Sequence, residues 1–218
     1  MTKIKAYVFD VYGTLFDVHS VSRACDELFP NQGIAISQTW RQKQIEYSFL
    51  RQLTGNYKDF FAVTKDSLRY AIQLHCGDYN DSQLKKLLEK YLTLNTFPEV
   101  IEVLDQLRES KLAVFSNGSH QMLDPLLKQA AIYNKFNHII SVDEIKQYKP
   151  TSESYQYCLN TLKVNKEEVL FMSSNGWDIT GAKSFGFQTA WINRNKLPVE
   201  QLQLEPDAIC NDLRGIID

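Results

Sequence analysis

Cysteine is scarce in this chain and never clustered: Cys25, Cys76, Cys158 and Cys210 are spread across 218 residues. No two of them form a metal-binding pair. The spacing suits a reducing compartment, although an even count leaves disulfides open. Long apolar runs are missing as well. No stretch approaches the roughly 20 residues needed to span a bilayer, and no apolar segment precedes a small-residue cleavage site, so no signal peptide is read. A cytoplasmic protein without membrane contact is expected. Neither sign of charge dominates, since 24 Lys and Arg stand against 26 Asp and Glu. That balance leaves no footprint for nucleic acid and no acidic solvating tail. Internal repeats and low-complexity segments are absent. What the chain has in quantity is aromatic, with 11 tyrosines and 12 phenylalanines. Most belong in a core, and the remainder can line a pocket or an interface.

The stretch that organises the rest is KIKAYVFDVYGTLF, residues 3–16. Residues 4–9 are almost wholly apolar or aromatic without clean alternation, the pattern of a strand buried on both faces of a parallel sheet. The run ends in Asp10, with Gly13 and Thr14 close behind. Open α/β sheets place their ligands at the C-terminal ends of their strands. An aspartate there, on a turn loosened by glycine, can point its carboxylate at a substrate. The competing reading is an aspartate that only caps the next turn.

From about residue 18 to 94 the apolar spacing turns helical. Helices are expected at 22–29, at 38–53 with Ser37 as cap, at 57–74, and at 81–92 with Asp81 or Asn80 as cap. Strand and helix then alternate. A helix at 99–109 has Pro98 at its first turn, and strands are expected at 112–115, 138–142, 169–172 and 189–192. Helices follow to about residue 129, at 152–162 and from about 178 to 185, and a last strand and helix fall within 208–217. Residues 193–205 carry the least pattern and read as a surface loop. The fold class is therefore α/β: a Rossmann-like parallel sheet flanked by helices, with a four-helix domain inserted. Residues 1–17 and 94–218 would form the core domain, and 18–93 the insertion.

Three strands end in small polar sequences: Asp10 through Thr14, Ser116-Asn117-Gly118, and Ser173-Ser174-Asn175 ahead of Asp178. In a parallel sheet all three converge on one edge. Hydroxyls, amides and backbone N–H groups at helix starts make an anion-binding surface there. Lys149, before Pro150, joins them on the connection leaving the third strand. Each sequence alone reads equally well as turn chemistry. Their convergence marks a site.

Motif for motif, the chain resembles the haloacid dehalogenase superfamily, and within it the L-2-haloacid dehalogenases, over nearly its whole length including the inserted cap. The superfamily pattern is an aspartate ending the first strand, Ser or Thr ending the second, a lysine before the fourth and an acidic loop after it. Asp10, Ser116, Lys149 and the Asp178 region match it here, and phosphatases share all four. Three features point to the dehalogenase branch. Tyr12 stands where phosphatases carry a second aspartate as acid, base and metal ligand. The fourth loop, SSNGWD, matches the form SSNxWD with one aspartate. The cap helix carries Trp40-Arg41-Gln42-Lys43-Gln44, with Glu46-Tyr47 after it. Gly176, where alanine is common, and Ile45, where leucine is common, are departures.

The resemblance implies hydrolysis of short-chain L-2-haloacids to D-2-hydroxyacids, with inversion at carbon two. Asp10 would displace halide and form an ester, and water would then attack the ester carbonyl. Lys149 would keep Asp10 ionised; Thr14 and Ser173 would hydrogen-bond it, and Tyr155 would hold Lys149. Asp178, assisted by Lys149 and Asn175, would activate the water. The substrate carboxylate would meet Ser116 and the backbone N–H groups around Asn117 and Val11-Tyr12. Arg41, with Asn117 and the ring edge of Phe60, would stabilise the departing halide. Tyr12, Gln42, Ile45, Phe60 and Trp177 would wall the alkyl group. No cofactor and no metal are implied. The expected partners are small 2-haloalkanoic acids, halide ion, and a second copy in a homodimer packed through cap helices, consistent with Tyr47, Phe49, Leu50 and Leu53. The alternatives are a small-molecule phosphatase, a hydrolase acting on another electrophilic carbon, and a non-catalytic carboxylate-binding protein.

Overall fold

The computed structural model describes residues 3–217. Strand β1 (Ala6–Phe9) is the centre of a six-stranded sheet in which every pairing is parallel. Its partners are β2 (Lys111–Ser116) on one side and β4 (Val169–Ser173) on the other. β3 (His138–Ser141) lies outside β2, and β5 (Gln188–Ile192) and β6 (Ala208–Cys210) lie outside β4, giving the order β3-β2-β1-β4-β5-β6. The order reverses direction between β1 and β4, the switch point where such sheets open a crevice. Ala6, Val8 and Phe9 have no solvent exposure, which accounts for the unbroken apolar run. Phe9 aligns with Val114 and with Met172. That register brings Asp10, Ser116 and Ser173 to one edge.

Helices α1 (Ser22–Leu28), α2 (Gly33–Leu53), α3 (Phe60–Cys76) and α4 (Asp81–Tyr91) separate β1 from β2 in the chain. They pack chiefly on one another. Trp40 is buried between them, donating from Nε1 to Thr64 O at 2.8 Å and packing on Tyr91 at 4.9 Å between ring centroids. α5 (Val100–Gln106), α6 (His120–Gln129), α7 (Ser152–Leu162) and α8 (Gly176–Phe185) flank the sheet. None of the helices is long and apolar enough to cross a membrane, among the described residues.

Several boundaries correct the sequence reading. α2 begins at Gly33, and Ser37 lies inside it, buried and bonded to His19 Nδ1 at 2.9 Å rather than capping. The cap comes from another helix: Asp26 Oδ1 of α1 accepts from Gly33 N at 2.7 Å. A local pattern cannot reveal a donor satisfied from elsewhere in the chain. α3 starts at Phe60 rather than at residue 57, because the Asp59 side chain caps it by accepting from Ala62 N. α4 has a reciprocal capping box between Asn80 and Gln83. α5 is shorter than expected at both ends, and α8 begins earlier, at Gly176. The last expected helix is a single 3-10 turn, Leu213–Ile216.

Candidate active site

Asp10 follows β1, its side chain 6% exposed and its carboxylate enclosed by donors. Its Oδ2 accepts from Thr14 Oγ1 at 2.9 Å, Asn175 Nδ2 at 2.9 Å and Ser173 Oγ at 3.3 Å. Its Oδ1 accepts from Lys149 Nζ at 3.0 Å. Four donors on one carboxylate lock its orientation. Thr14, Ser173 and Asn175 come from strand ends or the turns beyond them, and Lys149 from the longer connection after β3, so the parallel register assembles the set.

Lys149 is buried and its ammonium is shared. Besides Asp10 it reaches Asp178 Oδ2 at 2.6 Å and Phe115 O at 3.0 Å. Burial works against its charge, but Asp10 and Asp178 together outweigh that and lift its pKa above the ordinary lysine value. Asp178 has no exposure. Burial pushes its carboxyl up to about 6, Asp10 adds to the rise, and Lys149 and Tyr155 oppose it. A carboxylate in that range is mostly ionised at neutral pH yet ready to take a proton. Tyr155 corrects one expectation. Its hydroxyl donates to Asp178 Oδ1 at 2.7 Å and to Asp178 O at 3.0 Å, so it orients Asp178 and acts on Lys149 only through it. Burial, then the Asp178 charge, raises the Tyr155 phenol far above its usual pKa and keeps it a donor.

Gly181, one turn beyond Asp178 on α8, makes this contact possible. A Cβ there would stand 2.5 Å from both Pro150 Cβ and Tyr155 Oη. Gly181→Ala is expected to force Tyr155 off Asp178, at about 1–3 kcal/mol of overpacking. Thermal unfolding and turnover of the variant, both lowered, would check it. Gly176 differs, because a Cβ there meets the flexible end of Glu200 at 2.7 Å.

The roof comes from α2 and α3. Arg41 Nη2 donates to Asn175 Oδ1 at 3.0 Å and to Tyr12 O at 3.1 Å, bridging the helical layer to the sheet. Arg41 Nη1 donates to Gln44 Oε1 at 2.8 Å. Gln44 is buried, donates to Thr64 Oγ1 and accepts from Tyr91 Oη, so the arginine is held from behind. The Tyr12 ring stacks on Tyr91 and tilts against Phe60 at 5.5 Å. Burial, foremost, drives its phenol far above its usual pKa, so it cannot exchange a proton near neutrality.

Under this roof lies a cavity of about 10 Å³, room for a water-sized molecule. Asp10, Ser116, Asn117 and Lys149 line its floor, and Tyr12, Arg41, Ile45, Phe60 and Trp177 its walls. Asn117 Oδ1 accepts from Lys149 N at 2.9 Å. Beyond Arg41 and Asn175 opens a wider vestibule of about 520 Å³, bounded by His19, Phe97 and Arg194 among others.

The structure brings most of the sequence-selected residues together, with two exceptions. Gln42 is exposed and does not line the cavity; it is one residue, about 100° of helix, away from Arg41. Val11 has no exposure, which leaves only its backbone to offer. Phe49 packs its ring edge-on against Trp177 at 5.2 Å and so supports the site wall. Sequence reasoning missed Gln44 as the support of Arg41, Ser48 in the cavity wall and Arg194 in the vestibule. For Gln44 the signal was its i+3 spacing from Arg41 within the same motif. Arg194, in the unpatterned loop, had none.

A carboxylate held by a buried lysine at the switch point of a parallel sheet, facing a cavity that an arginine also lines, is an arrangement suited to nucleophilic attack by an aspartate. Comparison with known proteins agrees. The family model for haloacid dehalogenase-like hydrolases matches residues 4–186, and the chain belongs to that family. An (S)-2-haloacid dehalogenase of Pseudomonas sp. (strain YL) is 42% identical over 100% of this chain and 95% of its own length. The crystal structure of the L-2-haloacid dehalogenase RSc1362 superposes with a TM-score of 0.96 at 42% identity, covering 99% of this chain and 98% of that one. The L-2-haloacid dehalogenase from Xanthobacter autotrophicus, solved with chloropropionic acid covalently bound, has a TM-score of 0.92 at 37% identity, covering 98% and 96%.

Proposed function

We propose that this protein hydrolyses short-chain L-2-haloacids to D-2-hydroxyacids through an ester on Asp10. The carrying observation is the Asp10 carboxylate itself, with three donors on Oδ2 and one on Oδ1. Oδ2 is the fixed oxygen and Oδ1 the attacking one. It displaces halide from carbon two on the face opposite the leaving group, inverting that carbon. Arg41, freed from Asn175 and Tyr12 O, takes the developing halide charge with Asn117 and the Phe60 edge. Because the cavity is only water-sized, substrate arrives by the vestibule and displaces the Arg41 bridge. The substrate carboxylate sits at Ser116 and the backbone N–H groups beside Asn117 and Tyr12. Asp178 then takes a proton from the water that attacks the Asp10 ester carbonyl. The oxyanion forms on Oδ2, within reach of Asn175, Thr14 and Ser173, and the Cγ–Oδ1 bond breaks beside Lys149, with Oδ1 leaving as the hydroxyl oxygen of the product.

Tyr12 argues against the phosphatase reading. Its buried phenol supplies neither the second carboxylate nor a proton to a leaving alkoxide. Residues 18–93 act as the cap, closing over a core of 1–17 and 94–218. Cys25, Cys76 and Cys158 are free thiols, which supports a cytoplasmic location. The face of α2 and α3 that exposes Leu50, Leu53 and Tyr70 supports pairing with a second copy.

The test is halide release from L- and D-2-chloropropionate in EDTA. Chloride from the L-enantiomer alone, with D-lactate as product, is expected. Chloride from neither enantiomer, or turnover of p-nitrophenyl phosphate once Mg²⁺ is added, would overturn the reading.

A further inference from the structure

Two chain crossings join the helical layer to the sheet, and they run side by side. Asp17 N donates to Asn95 O at 2.8 Å, Phe97 N donates to Leu15 O at 3.0 Å, and Phe16 bridges Thr96 antiparallel. The outgoing crossing begins at Thr14, whose hydroxyl holds Asp10 Oδ2 and accepts from Ser174 N at 2.8 Å. The returning one ends at Glu99, whose side chain is 3% exposed. A buried glutamate needs a partner, and nothing in the proposed chemistry uses this one.

Its partner is Arg194, from the loop after β5. Arg194 Nη2 lies 2.6 Å from Glu99 Oε1, and the same nitrogen donates to Thr14 O at 2.9 Å. The guanidinium lies over the Phe97 ring at 3.7 Å from its centroid. Glu99 Oε1 also accepts from Leu213 N. One side chain therefore touches both crossings at once: Thr14 on the first, Phe97 and Glu99 on the second. We propose that Arg194 is a positioning residue that clamps the two crossings together and, through Thr14, sets the direction of the Asp10 carboxylate.

The chemistry of arginine fits that task. A planar guanidinium stacks on a ring face while its edge donates, which the round ammonium of lysine does poorly. Thr14 reaches Asp10 by a single hydroxyl. A small shift of its backbone therefore tilts the nucleophile, and misplacement of order 1 Å costs up to about 100-fold in rate. Arg194 and Phe97 border the entry vestibule and not the reaction cavity, so the clamp acts on attack geometry and leaves the contacts of bound substrate alone.

The effect on rate rests on the dehalogenase reading, so the experiment carries a readout that does not. Arg194→Lys keeps a cation beside Glu99 and is expected to unfold within a few degrees of the parent protein. Amide hydrogen exchange of residues 13–17 should quicken about tenfold, with β4 unchanged. With L-2-chloropropionate, kcat should fall about tenfold and KM stay within about threefold, and single turnover should place the loss in ester formation rather than ester hydrolysis. Arg194→Met should go further in each respect; where it fails to fold, Arg194→Lys decides. Unchanged exchange at residues 13–17 overturns the clamp. So does a loss confined to KM or to ester hydrolysis. Absence of halide release by the parent protein would sink the functional reading alone, and exchange would still judge the clamp.

Discussion

Asp10→Asn is expected to release no halide above background, a loss on the order of 10⁴-fold or more. The change is nearly isosteric, so the loss is chemical. An amide oxygen is a poor nucleophile, and the amide nitrogen is no nucleophile at all. Orientation works against the variant as well. Oδ2 accepts from three side chains and Oδ1 from an ammonium, so either rotamer of asparagine turns an NH₂ toward a donor. Folding should survive, because Lys149 keeps Asp178 at 2.6 Å and Phe115 O at 3.0 Å. Chloride release measured beside a thermal unfolding midpoint separates the two. An inactive variant that unfolds near the parent temperature supports Asp10 as nucleophile, and residual turnover within tenfold of the parent would remove it from that role.

Asp178→Asn is expected to abolish turnover yet release about one chloride per site. The first step needs Asp10 and Arg41, and only the second needs a base on the water. The Asp10 ester should then accumulate and appear as added mass on the peptide carrying Asp10. The pH dependence of stability should change as well. Burial holds Asp178 at about 6 against an ordinary 3.8, so the folded state binds this proton more tightly than the unfolded chain does. Its contribution to stability therefore falls as pH rises from about 4 to about 6, and the full cost is present above that. The asparagine side chain binds no proton there, so this fall between about pH 4 and 6 should be missing from the variant's unfolding profile. In the parent protein, ester hydrolysis should rise with pH through about 6, following ionisation of Asp178. A variant that turns over normally at pH 8 would contradict the assignment of the base.

Asp10, Ser116, Lys149 and Asp178 were all legible in the chain, because parallel strands advertise themselves as apolar runs and set the residues just beyond them at one edge. The order of the elements came from the same alternation. Helix starts were less legible where the cap is distant, as with Gly33 and Asp26. Gln42 was misassigned because a motif in sequence does not say which of two neighbours faces inward; helix rotation put Arg41 over the site and turned Gln42 to solvent.

By itself the sequence determined the α/β class, and it placed Asp10 just beyond a strand end and Lys149 on a connection to the same sheet edge. These are properties of residue type and of short periodic runs, which the chain carries locally. Only the tertiary structure decided who supports whom. Tyr155 orients Asp178 through a glycine-sized gap on α8. Gln44 braces Arg41 from behind, and Arg194 joins two crossings from a loop without pattern. Such contacts link residues distant in sequence, and they arise only when packing brings buried polar groups together and each must find a partner.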